Sequence, residues 1–306
     1  MKRRSFLKIT LPLAVAGKAA AAPATKPDLT FGVIADPQYA DADPKWGRFF
    51  RNSLAKLEDA VAALNQQPLE FTATVGDLID RDFASFAPVM RIYAKLKHPH
   101  HPVCGNHDFE VEDADKAKVL TTMGLEKAHY SVIREKWRFV FLDGTDIAVW
   151  RHPADDPRTE AAKAVLEKFR AAGIPNAQKW NAAIGAEQIK WLEAELAAAQ
   201  AAGERVILFC HYPVIPAGDS HNLWNAAELV ALLEKHDNVA AYMNGHNHAG
   251  NYGRHGSCHY VNFKGMVETE KETAYSIVRC FADRIEIEGH GLEPDRELRS
   301  GDVTIP

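Results

Sequence analysis

The sequence predicts an α/β fold built in layers. Short apolar runs alternate with amphipathic segments along the chain, and the most distinctive polar residues directly follow apolar runs. Size adds a third observation: 306 residues with 46% hydrophobic content can bury a full core, as one large domain or two small ones. No internal repeat or long low-complexity linker divides the chain, so a single domain over residues 25–306 is the simplest expectation.

In chain order, the first strand is expected at 29–35, where "LTFGVIA" is apolar and stops at Asp36 and Pro37. Trp46, Phe50, Leu54, Leu57, Val61 and Leu64 recur at steps of three and four, which predicts a helix over 46–64. Apolar runs predict strands at 71–75, 101–104, 129–133 and 138–142. Residues 144–186 are the least regular part. There "HPADDPRTE" and "GIPNAQKWNAAIG" flank one helix at 159–171, and the whole reads as an excursion over one face, near the site. Ile189, Leu192 and Leu196 mark a helical stripe at 187–200, and a strand follows at 205–210. Asn225 and Glu228 resemble a capping box that opens a helix at 226–235. Strands at 238–243, 258–263, 274–280 and 284–288 complete the order.

A formal charge of −5, with no basic run after the first few residues, excludes an electrostatic footprint for nucleic acid. The start, "MKRRSFLKITLPLAVAGKAAAAPA", has a basic end, a modest apolar run from Ile9 to Ala16, and small residues suited to cleavage after Ala21 or Ala24. That run is too short for a spanning helix. "RRSFLK" resembles a twin-arginine export signal, so residues 1–24 are expected to be a leader read by the twin-arginine machinery, with a periplasmic or exported mature protein. Loss of Lys2, Arg3, Arg4, Lys8 and Lys18 takes the formal charge from −5 to near −10. Cys104, Cys210, Cys258 and Cys280 sit in apolar, strand-like runs without a CxxC, so they are expected to pack as small hydrophobes with no structural disulfide.

Five pieces carry the chemistry: "ADPQ" (Asp36, Gln38), "GDLIDRD" (Asp77, Asp80, Arg81), "GNHD" (Asn106, His107, Asp108), "CHYP" (His211) and "GHNH" (His246, His248). Most follow a predicted strand directly, as ligands do in open α/β sheets, and glycines before Asp77, Asn106 and His246 allow sharp turns. Each piece alone is a common turn; together they point to a metal site. Two divalent ions about 3.5–4 Å apart need a shared anionic ligand, which a carboxylate such as Asp77 can be. Neutral imidazole and amide donors complete the shells without blunting Lewis acidity, and such a pair can ionise a bridging water near neutral pH.

These blocks resemble the calcineurin-like metallophosphoesterase superfamily, whose pattern runs D-x-H, G-D-x-x-D, G-N-H-[DE], H and G-H-x-H. The resemblance implies a four-layer α/β/β/α sandwich with two packed mixed sheets. It implies a first metal on Asp36, Gln38, Asp77 and His248, and a second on Asp77, Asn106, His211 and His246. His107 becomes the unliganded histidine that protonates the leaving oxygen, and Asp80 orients it. Arg81 stands where protein phosphatases of the superfamily carry a phosphate-clamping arginine; a solvated arginine after a turn is the plainer reading.

Gln38 departs from D-x-H. With "FGVIADPQYAD", "WNAAIGAEQIKWLEAEL", "LWN", "GHNHAGNY" and "GHGLEPDRELR", the chain from about Thr30 to Arg299 resembles the manganese-dependent ADP-ribose/CDP-alcohol diphosphatase branch. Members cleave the phosphoanhydride of ADP-ribose, CDP-choline, CDP-glycerol and similar nucleotide diphosphates. The resemblance therefore implies two divalent ions, with Mn2+ ahead of Mg2+, iron or zinc. Two positions depart from the branch: Ala182 and Ala183 replace glycines, and Leu292 replaces a basic residue. An exported address also argues against ADP-ribose as the natural substrate.

Tyr39, Phe109, Trp224 and Tyr252 are candidates either for base stacking or for core packing, with Tyr252 put forward as the substrate contact. "KHPHH" (His98, His100, His101) reads as a polar lead into the strand before Cys104. Two other functions fit the same blocks: a broader phosphodiesterase or phosphomonoesterase, and a metal-stabilised binding protein without catalysis. The free His107 argues against the last, because binding alone needs no unliganded acid.

Overall fold

The computed structural model describes residues 26–299, so the leader expected at 1–24 lies outside the described residues. The strands run β1 Leu29–Ile34, β2 Thr72–Val75, β3 His100–Val103, β4 Tyr130–Arg134, β5 Trp137–Phe141, β6 Arg205–Phe209, β7 Val239–Asn244, β8 Asn251–His255, β9 Cys258–Asn262, β10 Ala274–Cys280, β11 Arg284–Gly291 and β12 Arg296–Arg299. The helices are α1 Ser53–Leu64, α2 Phe86–Tyr93, the single turns α3 Asp113–Lys116 and α4 Val119–Thr122, α5 Pro157–Ala171, α6 Ala186–Ala202 and α7 Ala226–Leu233. Among the described residues, no helix is long and apolar enough to cross a membrane.

Two six-stranded mixed sheets form, in the orders β12-β11-β10-β1-β2-β3 and β4-β5-β6-β7-β9-β8. Within them β1, β2 and β3 run parallel, as do β5, β6, β7 and β9. Alternation along each strand sends one set of side chains between the sheets and the other set outward. Phe31, Phe71, Phe139 and Phe209 meet in the middle, with Phe31 stacked on Phe71 at 5.0 Å. Outside the first sheet, Leu57, Val61 and Leu64 of α1 and Val89 and Ile92 of α2 cover Ile34 and Ile277. Outside the second, Leu192 and Leu196 of α6 and Leu229 and Leu233 of α7 cover Val140, Val206 and Leu208. The four-layer α/β/β/α sandwich is therefore present.

The expected helix over 46–64 begins late. Trp46 and Gly47 take left-handed conformations (φ 54° and 84°), which reverses the chain so that Lys45 pairs with Arg48 and Arg48 pairs with Glu268. Trp46 stands 75% exposed, and the apolar stripe is helical only from Phe50 onward. Asn225 stands at the N-cap of α7, but its side chain makes no capping bond. Its side chain instead accepts from the Ile184 amide and donates to the Ile184 carbonyl, and Glu228 binds its Nδ2. The excursion over 144–186 packs around Leu166, Ala177, Ala183 and Trp224, and Ala182 and Ala183 are fully buried.

β3 starts one residue earlier than expected, so His100 joins His101 inside the strand. His98 and His100 bond Thr72 and Thr74 of the neighbouring strand, and His100 stacks on Tyr93. The cysteines are all buried and free, as expected.

Candidate metal centre

The five chemical pieces fold into loops at the C-terminal ends of β1, β2, β3, β6 and β7, where the two sheets' parallel strands deliver them to one edge of the sandwich. Four of the candidate ligands, Asp36, Gln38, Asp77 and His246, hold positive φ between 43° and 68°. Left-handed non-glycine residues are uncommon, and their clustering here marks backbone bent to aim side chains at a point. Gly76 turns with φ 92°. Gly105 and Gly245 act by size instead: a Cβ there would run into the carboxylates of Asp77 and Asp36.

Asp77 is the hub. Its Oδ2 lies 3.3 Å from His211 Nε2 and accepts from Gln38 Nε2 at 2.9 Å. His211 Nε2 in turn lies 3.1 Å from His246 Nδ1 and 3.2 Å from Asn106 Oδ1. On the other side, Gln38 Nε2 lies 3.2 Å from His248 Nε2, which is 3.6 Å from Asp36 Oδ1. One donor atom each from Asp77, His211 and His246 falls within 4.8 Å of the others, close enough to share an ion. The structure thus brings together all seven predicted ligands, in two groups that share Asp77.

The outer hydrogen bonds decide which nitrogen lone pairs face inward. His211 Nδ1 donates to the Val75 carbonyl at 2.8 Å, His246 Nε2 to Asn181 Oδ1 at 3.0 Å, and His248 Nδ1 to Glu268 Oε1 at 2.7 Å. With the ring protons held outside, three imidazole lone pairs point at one another and at buried carboxylates. Gln38 Oε1 is buried with no hydrogen-bond partner, and a half-turn of that amide would bring it to the side where Asp77 and His248 converge. Convergent lone pairs and an orphaned amide oxygen fit divalent cations, and the mixed set of imidazole, carboxylate and amide donors admits manganese along with iron and zinc.

The electrostatics agree. Burial works against ionisation of Asp77, yet His211 and His107 hold its carboxyl far below the usual range. Burial likewise opposes charge on His211, but Asp77 and Asp36 push it up to about 9. The field that would keep a proton on His211 would equally hold a metal cation in its place. His246, buried and facing His211, is pushed well down and stays neutral.

His107 stands beside the cluster. Its backbone N–H donates to Asp77 Oδ1 at 2.9 Å, while its Nδ1 lies 3.1 Å from the Asp80 carbonyl and 3.2 Å from Glu110 Oε1. Asp80, the expected orienting residue, thus reaches the ring through its carbonyl, with its carboxylate Oδ1 3.6 Å from Nδ1 and Oδ2 paired with Arg81 at 2.5 Å. Arg81 pairs with Asp80 and lies over Phe50, while Arg48 Nη1 is 3.4 Å from His107 Nε2. Tyr252 sits on edge strand β8 with its hydroxyl 2.9 Å from His259 Nδ1. Phe109 and Trp224 are buried in packing.

Sequence reasoning missed Arg48, Glu110, Asn181 and Glu268. None of them sits in a ligand motif, and only the folded chain reveals their partners. Asp108 was visible in "GNHD", and its work is structural. Its two oxygens accept from the amides of Leu78 (2.8 Å), Gly105 (2.9 Å), Asp77 (3.1 Å) and Ile79 (3.4 Å), tying two ligand loops together.

Comparison with known proteins agrees with this architecture. The model of the calcineurin-like phosphoesterase family matches residues 29–250. The chain belongs to this family. As a calcineurin-like phosphoesterase it is a metal-dependent phosphohydrolase. Relatives named manganese-dependent ADP-ribose/CDP-alcohol diphosphatase include one from Mus musculus, 28% identical over 90% of this chain and 94% of the relative. One from Arabidopsis thaliana is 31% identical over 75% of this chain and 83% of the relative. The fold is shared with a dimetal phosphatase from Danio rerio, at a TM-score of 0.81 and 24% identity, covering 90% of this chain and all of that one.

Proposed function

We propose that this calcineurin-like phosphoesterase hydrolyses the phosphoanhydride of nucleoside diphosphate derivatives, of the CDP-alcohol and ADP-ribose type, with two manganese ions. The observation that carries the reading is the double convergence of donor atoms on Asp77, with the outer ring nitrogens of His211, His246 and His248 each held by an acceptor. Asp36, Gln38, Asp77 and His248 would hold one ion, and Asp77, Asn106, His211 and His246 the other. Bound there, the pair would supply Lewis acidity toward phosphoryl oxygens and lower the pKa of water. The relatives' names support the substrate class and the metal.

The remaining work falls to the chain's own side chains. In the metal-free protein His107 is pushed up to about 9: burial opposes its charge, but Asp77, Glu110 and Asp80 outweigh burial. Glu110 and Asp80 go on favouring the protonated ring when cations take up Asp77. With Nδ1 engaged by the Asp80 carbonyl and Glu110, Nε2 delivers that proton to the departing phosphate oxygen. Arg48, beside Nε2, is placed to steady negative charge on the same group.

Hydrolysis of CDP-glycerol, CDP-choline, ADP-ribose and p-nitrophenyl phosphate, with metals added back singly, tests the reading. Diphosphates under manganese are expected to lead. A monoester cleaved as well or better would overturn it.

The first 24 residues we assign as a twin-arginine-type leader to the periplasm, on the strength of "RRSFLK" and the following apolar run. Replacing Arg3 and Arg4 by lysine is expected to retain the protein in the cytoplasmic fraction. Unaltered export would refute the assignment.

A further inference from the structure

The three inward-facing histidines are backed by three different acceptors: a backbone carbonyl behind His211, a neutral amide behind His246, and a carboxylate behind His248. Only the last carries a charge. It stands behind the group that contains Gln38, whose amide oxygen is a weaker donor than the imidazole of the D-x-H pattern. A carboxylate on the outer N–H of a ligating imidazole fixes its tautomer and raises the basicity of the inner nitrogen.

Glu268 is held firmly in that position. Its backbone pairs with Arg48, and its carbonyl accepts from the buried Lys56 Nζ at 3.0 Å. Lys56 also donates to the carbonyls of Met266 and Thr269, so one ammonium organises the whole turn. The amides of Met266 and Val267 donate to the carbonyls of Ala35 and Asp36, fastening the turn to the end of β1 where the first ligand sits. Gly265 closes the arrangement from the other side. A Cβ there would lie 2.6 Å from Cγ of His248, so the turn presses on the ring while Glu268 grips its nitrogen.

We propose that Glu268 is a positioning residue that sets cation affinity at the Asp36–Gln38–Asp77–His248 group, offsetting the weak Gln38 donor by strengthening His248. The inference rests on the two-ion reading above. It goes further by making the two sites unequal for a stated reason, and by giving the turn at 265–269 the task of tuning one of them.

Calorimetric titration of the metal-free protein with Mn2+ tests it, alongside electron paramagnetic resonance of the free ion. The wild type is expected to bind two equivalents. Glu268→Ala is expected to weaken one site about 10–100-fold and leave the other alone, with Glu268→Gln between them. Gln38→His placed on Glu268→Ala is expected to restore the weakened site. Unchanged dissociation constants in both Glu268 variants would overturn the proposal. Equal weakening of both sites would also overturn it, since that reports collapse of the turn rather than tuning of His248. Failure of Gln38→His to restore affinity would remove the compensation. A wild type binding fewer than two ions would instead strike the two-ion reading itself.

Discussion

Asp108→Asn tests whether the loops at the strand ends are held by charge as well as shape. Asp108 is fully buried and accepts four backbone amides: Leu78 and Ile79 on one oxygen, Gly105 and Asp77 on the other. Asparagine has the same shape but only one accepting oxygen. Whichever way it turns, an NH2 group faces two backbone N–H donors that then have no acceptor. A buried donor left unsatisfied costs about 1–3 kcal/mol, so two such donors cost roughly 2–6 kcal/mol. Relief of the buried carboxylate charge, and then of its repulsion with Asp77, offsets part of this, which leaves an expected loss of about 3 kcal/mol. The assay is urea denaturation of the metal-free protein, read as the change in midpoint at constant slope. Asp108→Ala, which abandons all four amides, should lose more. A loss below about 1 kcal/mol for Asp108→Asn would refute the reasoning, because it would mean that the amides find other acceptors.

Other outcomes follow from the same geometry. His107→Ala is expected to lower kcat by about 100- to 10,000-fold with manganese stoichiometry unchanged, and unaltered turnover would remove His107 as the acid. Because Glu110, 3.2 Å from Nδ1, favours the protonated form of His107, activity should fall as pH rises, and Glu110→Gln should move the fall to lower pH. A fall that stays in place would separate Glu110 from the acid. Burial pushes His101 down to about 4, so the folded state resists protonation that the unfolded state accepts near 6.5. Stability from this residue is present above pH 6.5 and is lost as pH falls toward 4. His101→Phe, set among Phe71, Tyr130 and Phe141, should stabilise more at pH 5 than at pH 8, where only the loss of the unpartnered Nε2 counts. Equal effects at both pH values in thermal melts would count against the linkage. Gln38→His should tighten the first site and raise zinc retention, and an unchanged metal preference would mean that Gln38 is not a ligand.

The five pieces were legible because most sit in turns directly after an apolar strand, but each alone is a common turn. The assignment of seven ligands came from their resemblance, in this order, to the calcineurin-like blocks. Glycine before Asp77 or His246, and Pro37 after Asp36, are signals within one or two residues of the ligand. The outer partners gave no such signal. Asn181 reaches His246 across 65 positions, and Arg48 meets His107 across 59. Neither pairing has a local cause. The same limit explains the missed elements. β8 and β12 are edge strands whose exposed faces lack an apolar alternation, and α2 hides its Phe86, Val89, Ile92 and Tyr93 stripe around Pro88. Trp46 fitted the helical spacing by coincidence, because the left-handed turn that excludes it exists only to bring Arg48 against Glu268.

The packing that makes the site suited to cations should also make the metal-free protein less stable than its core alone would allow. Asp36 and Asp77 are wholly buried, His211 is wholly buried between them, and four ligand residues hold left-handed backbone. Such groups are tolerated only when something compensates their charge and strain. The large apolar layer between the sheets supplies the general stability, but it lies between the strands and cannot answer charge at their ends. A cation can, and any ligand bound only by the folded state stabilises it by RT ln(1 + [L]/Kd), about 2.7 kcal/mol at a hundredfold excess over Kd. The thermal midpoint should therefore rise with manganese concentration and keep rising until the weaker site fills. Since Glu268 makes the sites unequal, the rise should come in two stages for the wild type. Asn181→Ala leaves the Glu268–His248 pair untouched but frees the His246 ring, so it should displace the stage belonging to the other ion. A single stage in the wild type, or one shared displacement in both variants, would mean that the two groups of ligands act as one site.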